Sequence, residues 1–174
     1  MKPTDVLQQY FGYTSFRPGQ DAVIRSLLAG RDSLAIMPTG AGKSLCFQIP
    51  ALLMDGVTVV ISPLLSLMKD QVDALAAQQV AATYINSLCT FAELQERFRL
   101  LRQGRVKLVY VSPERLQNEF FTNFMRTVPV AMVVVDEAHC VSQWGHDFRP
   151  GYRLIKDWIA SLPVRPVVGA FTAT

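Results

Sequence analysis

"SLAIMPTGAGKSLCFQIPALL", residues 33 to 53, joins a short apolar run to a glycine-containing turn and then to an apolar stretch long enough for a helix. The run Ser33, Leu34, Ala35, Ile36 has the continuous hydrophobicity of a strand covered on both faces. In the turn, Gly40 and Gly42 permit backbone angles and a close approach that a Cβ would block, and the amides that follow, with the helix N-terminus, present donors to phosphate oxygens. Lys43 supplies positive charge for β- and γ-phosphates, and the Ser44 hydroxyl is a ligand for magnesium. Thr39, Gly40, Ala41, Gly42, Lys43 and Ser44 thus form a phosphate cradle of the Walker A type. The usual pattern begins with a glycine where this chain has Met37, so the turn taken alone leaves open a plain glycine connection between a strand and a core helix.

Working outward, similar β-rich runs recur as "VTVVIS" from 57, "KLVYVS" from 107, "AMVVVD" from 131 and "PVVGAFTA" from 166. Between them lie stretches with helical spacing. Pro63 to about Gln79 carries Leu, Met and Val three and four residues apart, while Thr90 with Glu93 matches a capping box and Gly104 stands where a helix C-cap belongs. Alternating strand and helix predicts an α/β fold, a parallel sheet with helices on both faces and ligands at the carboxyl ends of the strands. Residues 1–30 read as two helices that extend the same domain, giving one domain over 1–174, without an internal repeat or linker.

"AMVVVDEAH" ends an apolar strand in two adjacent carboxylates. Phosphoryl transfer needs this division of labour: Asp136 to hold magnesium through water, and Glu137 to orient or deprotonate the attacking water. His139 is placed to bond across to another element near the γ-phosphate. An isolated Asp-Glu pair can equally cap the next helix; the cradle upstream in the same strand–helix pattern favours the catalytic reading.

Composition sets the outer bounds. Half of the 174 residues are hydrophobic and 18% charged, so the chain is globular rather than disordered, and at this length folding buries roughly 70% of the unfolded surface. No segment reaches the length of a membrane span and the N-terminus lacks a signal-peptide run, which predicts a soluble cytoplasmic protein. Cys46, Cys89 and Cys140 lack paired metal-site spacing, so no zinc is expected. A net charge of +3 helps a polyanion approach but identifies none.

With "DEAH" joined to the cradle and "FTAT" at 171 to 174, the chain resembles the first RecA-like motor domain of a superfamily 2 helicase. "FGYTSFRPGQ" at 11 to 20, "SPLLSLMKDQV" at 62 to 72 and "CVSQWGHDFRPGY" at 140 to 152 narrow the resemblance to the RecQ family, over essentially the whole chain. It implies ATP and Mg²⁺ as cofactors, with the amide of Gln20 pairing to adenine N6 and N7 and Tyr13 or Arg17 stacking on the base. It also implies single-stranded and partly duplex DNA as partner, met by Ser62, Lys69 and the start of "SPERL" at 112. Trp144, His146, Phe148 and Arg149 would form an aromatic loop that couples DNA to hydrolysis, since Gly145 and Pro150 argue against a regular helix there. Thr172 and Thr174 belong to the motif that links hydrolysis to domain movement. Packing offers ordinary alternatives: Tyr13 and above all Phe16 against the N-terminal helices, Trp144 and Phe148 in the core, Lys69 on a solvated helix face.

The expectation is therefore an ATP-hydrolysing first motor domain of a RecQ-like 3′-to-5′ DNA helicase, nucleoid-associated if bacterial, that needs a second RecA-like domain of the same full-length protein. A module that holds ATP and DNA with little turnover is the alternative. A small P-loop kinase would need an acceptor pocket that "QWGHDFRP" gives no reason to expect.

Overall fold

The structure, a computed structural model, describes residues 1–38, 42–139 and 148–173, with the backbone alone over 148–152. Thr39, Gly40, Ala41, Cys140, Trp144, His146 and Thr174 lie outside the described residues.

Six strands form one sheet: β1 (Ser33–Ile36), β2 (Val57–Ile61), β3 (Ala82–Ile85), β4 (Leu108–Val111), β5 (Val130–Val135) and β6 (Val167–Thr172). Their order is β1-β6-β5-β2-β4-β3 and every pairing is parallel. The helices are α1 (Pro3–Val6), continued by a wider π turn over Leu7–Phe11, α2 (Gln20–Leu28), α3 (Leu45–Leu53), α4 (Leu65–Ala77), α5 (Phe91–Arg102), α6 (Glu119–Met125) and α7 (Phe148–Ser161). A 3₁₀ turn over Pro113–Gln117 precedes α6.

Continuous hydrophobicity is used as expected, with alternate residues of each central strand serving opposite cores. Val57, Val59, Ile61, Val109, Val111, Val133 and Val135 pack against Phe98 of α5, Phe121 of α6 and Trp158 of α7. Val60, Leu108, Tyr110, Met132, Val134 and Phe171 pack on the other face against Leu27 of α2, Phe47 of α3 and Met68 of α4. Phe47 meets Phe171 edge-on with ring centroids 5.3 Å apart, tying the cradle's helix to β6.

The helices divide by the direction in which the chain travels across the sheet. From β1 to β2 and from β2 to β3 it moves toward the β3 edge, and α3 and α4 lie on one face. From β3 through β4 and β5 to β6 it returns, and α5, α6 and α7 lie on the other. All five crossovers therefore share one hand, as parallel units require.

Three details depart from the sequence reading. β3 was not anticipated: "ATYI" is short, and Ala82 and Tyr84 are only half-buried because β3 is an edge strand. α4 begins at Leu65, since Ser62 and Pro63 finish the turn out of β2. The segment expected to be loop through 150 becomes helix at Phe148, because Pro150 falls in the first turn of α7, where its missing N–H costs no helical bond. The expected capping box is present: the Thr90 hydroxyl accepts from the Glu93 N–H at 3.2 Å and Glu93 accepts from the Thr90 N–H at 2.8 Å. Among the described residues no helix is long and apolar enough to cross a membrane.

Replacing Thr90 by Ala removes one half of that reciprocal cap and is expected to destabilise the domain by about 1 kcal/mol, measured as a shift in urea midpoint at unchanged m-value.

Candidate functional site

The cradle, the carboxylates and the N-terminal extension converge on one cavity of about 640 Å³ at the carboxyl ends of the strands. Tyr13, Arg17 and Gln20 line one part of it, Lys43 and Ser44 the middle, and Asp136 and Glu137 the end of β5.

β1 delivers the cradle. Met37 closes the strand by donating its N–H to the Thr172 carbonyl at 2.9 Å, and its side chain is buried in the α3 core. That burial accounts for Met where the usual motif has glycine: the position is packing, and the sharp turn comes later. Gly42 has φ of 77°, the left-handed region, and a Cβ there would run into the Gln20 side chain. Ser44 heads α3, its carbonyl accepting from the Gln48 N–H at 2.9 Å.

Lys43 reaches from this turn to the tip of β5. Its Nζ lies 3.0 Å from Asp136 Oδ1 and 2.9 Å from Glu137 Oε1. Burial alone would lower the ammonium's pKa, but the bonds to Glu137 and Asp136 outweigh it and hold Lys43 above the ordinary lysine value. Asp136 is only 3% exposed, and its N–H donates to the Ile61 carbonyl at 2.9 Å, extending the β5–β2 ladder by one residue. Glu137 then turns sharply, with φ of 54°, while its N–H donates to Asp136 Oδ1 at 2.9 Å. A left-handed glutamate costs on the order of 1 kcal/mol or more and persists where neighbours impose it. Here the cost aims two successive carboxylates at one ammonium.

His139 does bond to another element: Nδ1 lies 2.8 Å from the Thr172 hydroxyl on β6, and Nε2 lies 3.6 Å from Glu137 Oε2. Gln20, 2% exposed, accepts from the Arg17 N–H at 2.8 Å and donates from Nε2 to the Gly42 carbonyl at 3.0 Å. Its amide is thus engaged with the protein at both ends, the second of them on the cradle itself.

The expected DNA-facing residues are less concentrated. Ser62 sits at the end of β2 but is buried, its hydroxyl accepting from the Leu64 N–H at 3.3 Å. Lys69 is exposed on α4 and pairs with Asp73 at 2.7 Å, as on any solvated helix face. In "SPERL", Ser112 is fully buried and Arg115 donates to the Asn86 carbonyl at 3.0 Å. Phe148 and Arg149 fall in the first turn of α7, and their side chains lie outside the described residues.

Beyond Gln20, the sequence reading missed three further glutamines on the cavity. Gln48 lines the cavity and donates to the buried Tyr110 hydroxyl at 3.3 Å, while Gln71 approaches from α4 and Gln78 from its C-cap. The signal for Gln48 was legible, an amide inside the apolar run "LCFQIPALL" one turn after Ser44. Cys46, on the adjoining face, has its thiol pushed up to about 11 by burial, so it is a packing residue.

The donor set suits magnesium rather than a protein-caged ion. Ser44 and Asp136 offer hard oxygens at one cavity, and among the described residues no group of three or more His, Cys, Asp or Glu side chains could hold a metal. A cation that keeps its waters and takes phosphate oxygens needs only one or two protein ligands.

The sequence pattern of DEAD/DEAH box helicases matches residues 17–174. The chain belongs to the DEAD/DEAH box helicase family. It is 52% identical over 170 residues to the ATP-dependent DNA helicase RecQ of Bacillus subtilis, covering 97% of this chain and 29% of that one. Against the helicase of the same name from Pasteurella multocida the identity is 53%, with 98% and 27% covered. The chain thus spans under a third of the length of these relatives. Among solved structures, the DNA-bound helicase MrfA superposes with a TM-score of 0.78 at 16% identity, covering all of this chain and 26% of that one. A hypothetical ATP-dependent RNA helicase from Sulfolobus tokodaii superposes with 0.74 at 19% identity, covering 99% and 50%. These likenesses show the RecA-like helicase fold.

Gly42→Ala places a methyl group on the Gln20 amide in a left-handed backbone, so it is expected to destabilise the helicase domain by about 1 to 3 kcal/mol and to weaken nucleotide binding. Thermal melting and titration with a fluorescent nucleotide read the two effects.

Proposed function

We propose that this chain is the ATP-binding and ATP-hydrolysing first motor domain of a RecQ-like 3′-to-5′ DNA helicase, working in the cytoplasm at the nucleoid where the source is bacterial. The observation that carries the reading is the Lys43 ammonium held between Asp136 and Glu137 at the ends of two strands of one cavity. A cation on a glycine turn facing two strand-tip carboxylates is the apparatus of phosphoryl transfer from a nucleotide.

A triphosphate entering the cavity gives Lys43 new oxygens, which frees the two carboxylates for other partners. Thr39, Gly40, Ala41 and Gly42 supply the backbone of the cradle, and Ser44 and Asp136 would hold Mg²⁺. Bound there, the metal offsets charge that develops on the transferred phosphoryl group. Glu137 orients and deprotonates the attacking water, within reach of His139, whose other ring nitrogen meets Thr172. Tyr13, half exposed at the mouth, and Arg17 stack on the base while Gln20 reads adenine by exchanging its protein bonds.

DNA would lie across the strand ends, against Lys69 and the "SPERL" turn rather than the inward-turned Ser62 hydroxyl, with Trp144, His146, Phe148 and Arg149 as the stacking segment. Thr172 and Thr174 pass the hydrolytic state onward. The substrate is single-stranded or partly duplex DNA, and a second RecA-like domain of the longer protein supplies an arginine worth about 10³ to 10⁵ in rate. By itself the chain binds nucleotide and turns it over slowly, because that arginine comes from the second domain.

ATP turnover with and without single-stranded DNA tests the reading. Glu137→Gln is expected to keep nucleotide affinity and lose about 10²- to 10⁴-fold in kcat, and Lys43→Ala to lose productive Mg-ATP binding. Unchanged affinity in Lys43→Ala removes the cradle assignment, and full turnover in Glu137→Gln removes the base. Gln20→Ala is expected to narrow the preference for ATP over GTP, measured by competition; a preference that stays put shows that the base is read elsewhere.

A further inference from the structure

The layer between the sheet and helices α3 and α4 is mostly apolar, yet amides enter it beneath the cavity. Along β4, Leu108 and Tyr110 face this layer, and along β5 Met132 and Val134 do the same, so Asp136, two residues further, continues that face. Helix α3 sends in Gln48, 7% exposed, whose Nε2 donates to the hydroxyl of the buried Tyr110 at 3.3 Å. Helix α4 sends in Gln71, which lines the same cavity with its side-chain oxygen buried and without a hydrogen-bond partner among the described residues. A buried amide oxygen left unpaired is destabilising where a leucine would not be. Packing therefore does not account for Gln71, and a donor entering the cavity would.

The kind of donor follows from the ends of the amides that are left. Gln48 commits its nitrogen to Tyr110, so its oxygen is the end that remains for the cavity. Gln71 likewise offers an oxygen. Both oxygens accept and neither donates. The oxygens of an ionised triphosphate also only accept, so they have nothing to exchange with these two groups, and Lys43 and the cradle amides serve them instead. Hydrated magnesium is different, because it gives up its waters reluctantly and each retained water is a donor polarised by the ion.

Position agrees with this chemistry. The Gln48 N–H donates to the Ser44 carbonyl at 2.9 Å, so the two side chains stand on one face of α3, one turn apart. One turn rises about 5.4 Å. A magnesium–water bond of roughly 2.1 Å followed by a hydrogen bond of about 2.8 Å spans nearly the same distance. A side chain one turn after Ser44 is thus at the range of an outer-sphere partner for a cation that Ser44 holds.

We propose that Gln48 and Gln71 are outer-sphere positioning residues for magnesium: their amide oxygens accept hydrogen bonds from water on the ion, and Tyr110 fixes which end of Gln48 is presented. This deepens the reading of the cavity as a Mg-ATP site and rests on it. Its consequence is that α4, which offers no side chain to the inner sphere, is tied to the metal complex through Gln71.

The test reads metal dependence rather than turnover. A fluorescent ATP analogue is titrated into the chain with a chelator and again with Mg²⁺, and the ratio of the two dissociation constants is compared across variants, with thermal melting alongside. Gln48→Leu is expected to reduce the gain from Mg²⁺ about tenfold, and Tyr110→Phe, which leaves the amide in place but unoriented, by a smaller factor. Gln71→Leu decides between metal and packing roles, because it removes an unpaired acceptor. It is expected to reduce the gain about tenfold while the melting temperature stays at or above that of the unaltered chain. An unchanged ratio in either leucine variant overturns the proposal, and an unmoved ratio in Tyr110→Phe removes its orienting role. A fall in melting temperature that accompanies the loss in Gln71→Leu also overturns it, since a packing role moves both. So does an equal loss of affinity with chelator and with Mg²⁺, which makes a sugar hydroxyl of the nucleotide the donor. Failure of the unaltered chain to bind the analogue in either condition refutes the nucleotide site itself. Binding that Mg²⁺ strengthens alike in all four chains refutes the outer-sphere role alone.

Discussion

Everything at the functional end of this molecule depends on bringing one ammonium to two carboxylates. A carboxylate as enclosed as Asp136 is costly unless a cation or several donors reach it. Lys43 is that cation, but it comes from a turn after β1, whereas Asp136 and Glu137 end β5. The ion pairs therefore demand that β1 and β5 end on the same side and close together, which a parallel sheet provides and an antiparallel one of adjacent hairpins does not. The order β1-β6-β5 meets the demand with one strand in between. That intervening strand is then well placed to register what happens above it. Thr172 at the end of β6 holds Met37 through its carbonyl and His139 through its hydroxyl, so it touches both the cradle's base and the carboxylate segment.

The cluster is also unbalanced by design. One ammonium faces two carboxylates, which leaves the group anionic, and Glu137 is held in a left-handed backbone to keep it so. The negative charge is local to the end of β5, since Arg17 lines the same cavity and balances it as a whole. Ser44 adds a hard oxygen without adding charge.

Much of this was legible in the sequence because it rests on local rules. Continuous apolar runs marked β1, β2, β4, β5 and β6, the cap at Thr90 marked α5, and the glycine turn with Lys43 marked the cradle. What failed to show is what depends on tertiary position. β3 hides because four half-alternating residues at an edge carry too little pattern. Pro150 reads as a helix breaker until its place in a first turn is known. Met37 looks like a defect in a motif until its side chain is found in the core. Ser62 reads as a strand-end donor, yet the turn that follows takes its hydroxyl inward. Gln48 was visible as an amide in an apolar helix, but only the fold brings the Tyr110 hydroxyl from β4 to meet it.

Gln20 is where local reading and tertiary structure are most tightly joined. The sequence offers an amide with one donor and one acceptor end, suited to adenine. The folded chain already uses both, and the donor end falls on the carbonyl of Gly42, the residue whose conformation shapes the cradle. Any base that takes this amide competes for the bond that restrains Gly42. A base that cannot take it leaves the restraint in place. If Gln20 reads the base as proposed, discrimination at the mouth of the cavity and the geometry of the phosphate site would be one equilibrium rather than two, with the Gln20–Gly42 hydrogen bond contributing about 0.5 to 1.5 kcal/mol to the coupling. A coupling of that size would bias which nucleotide settles productively without preventing others from binding.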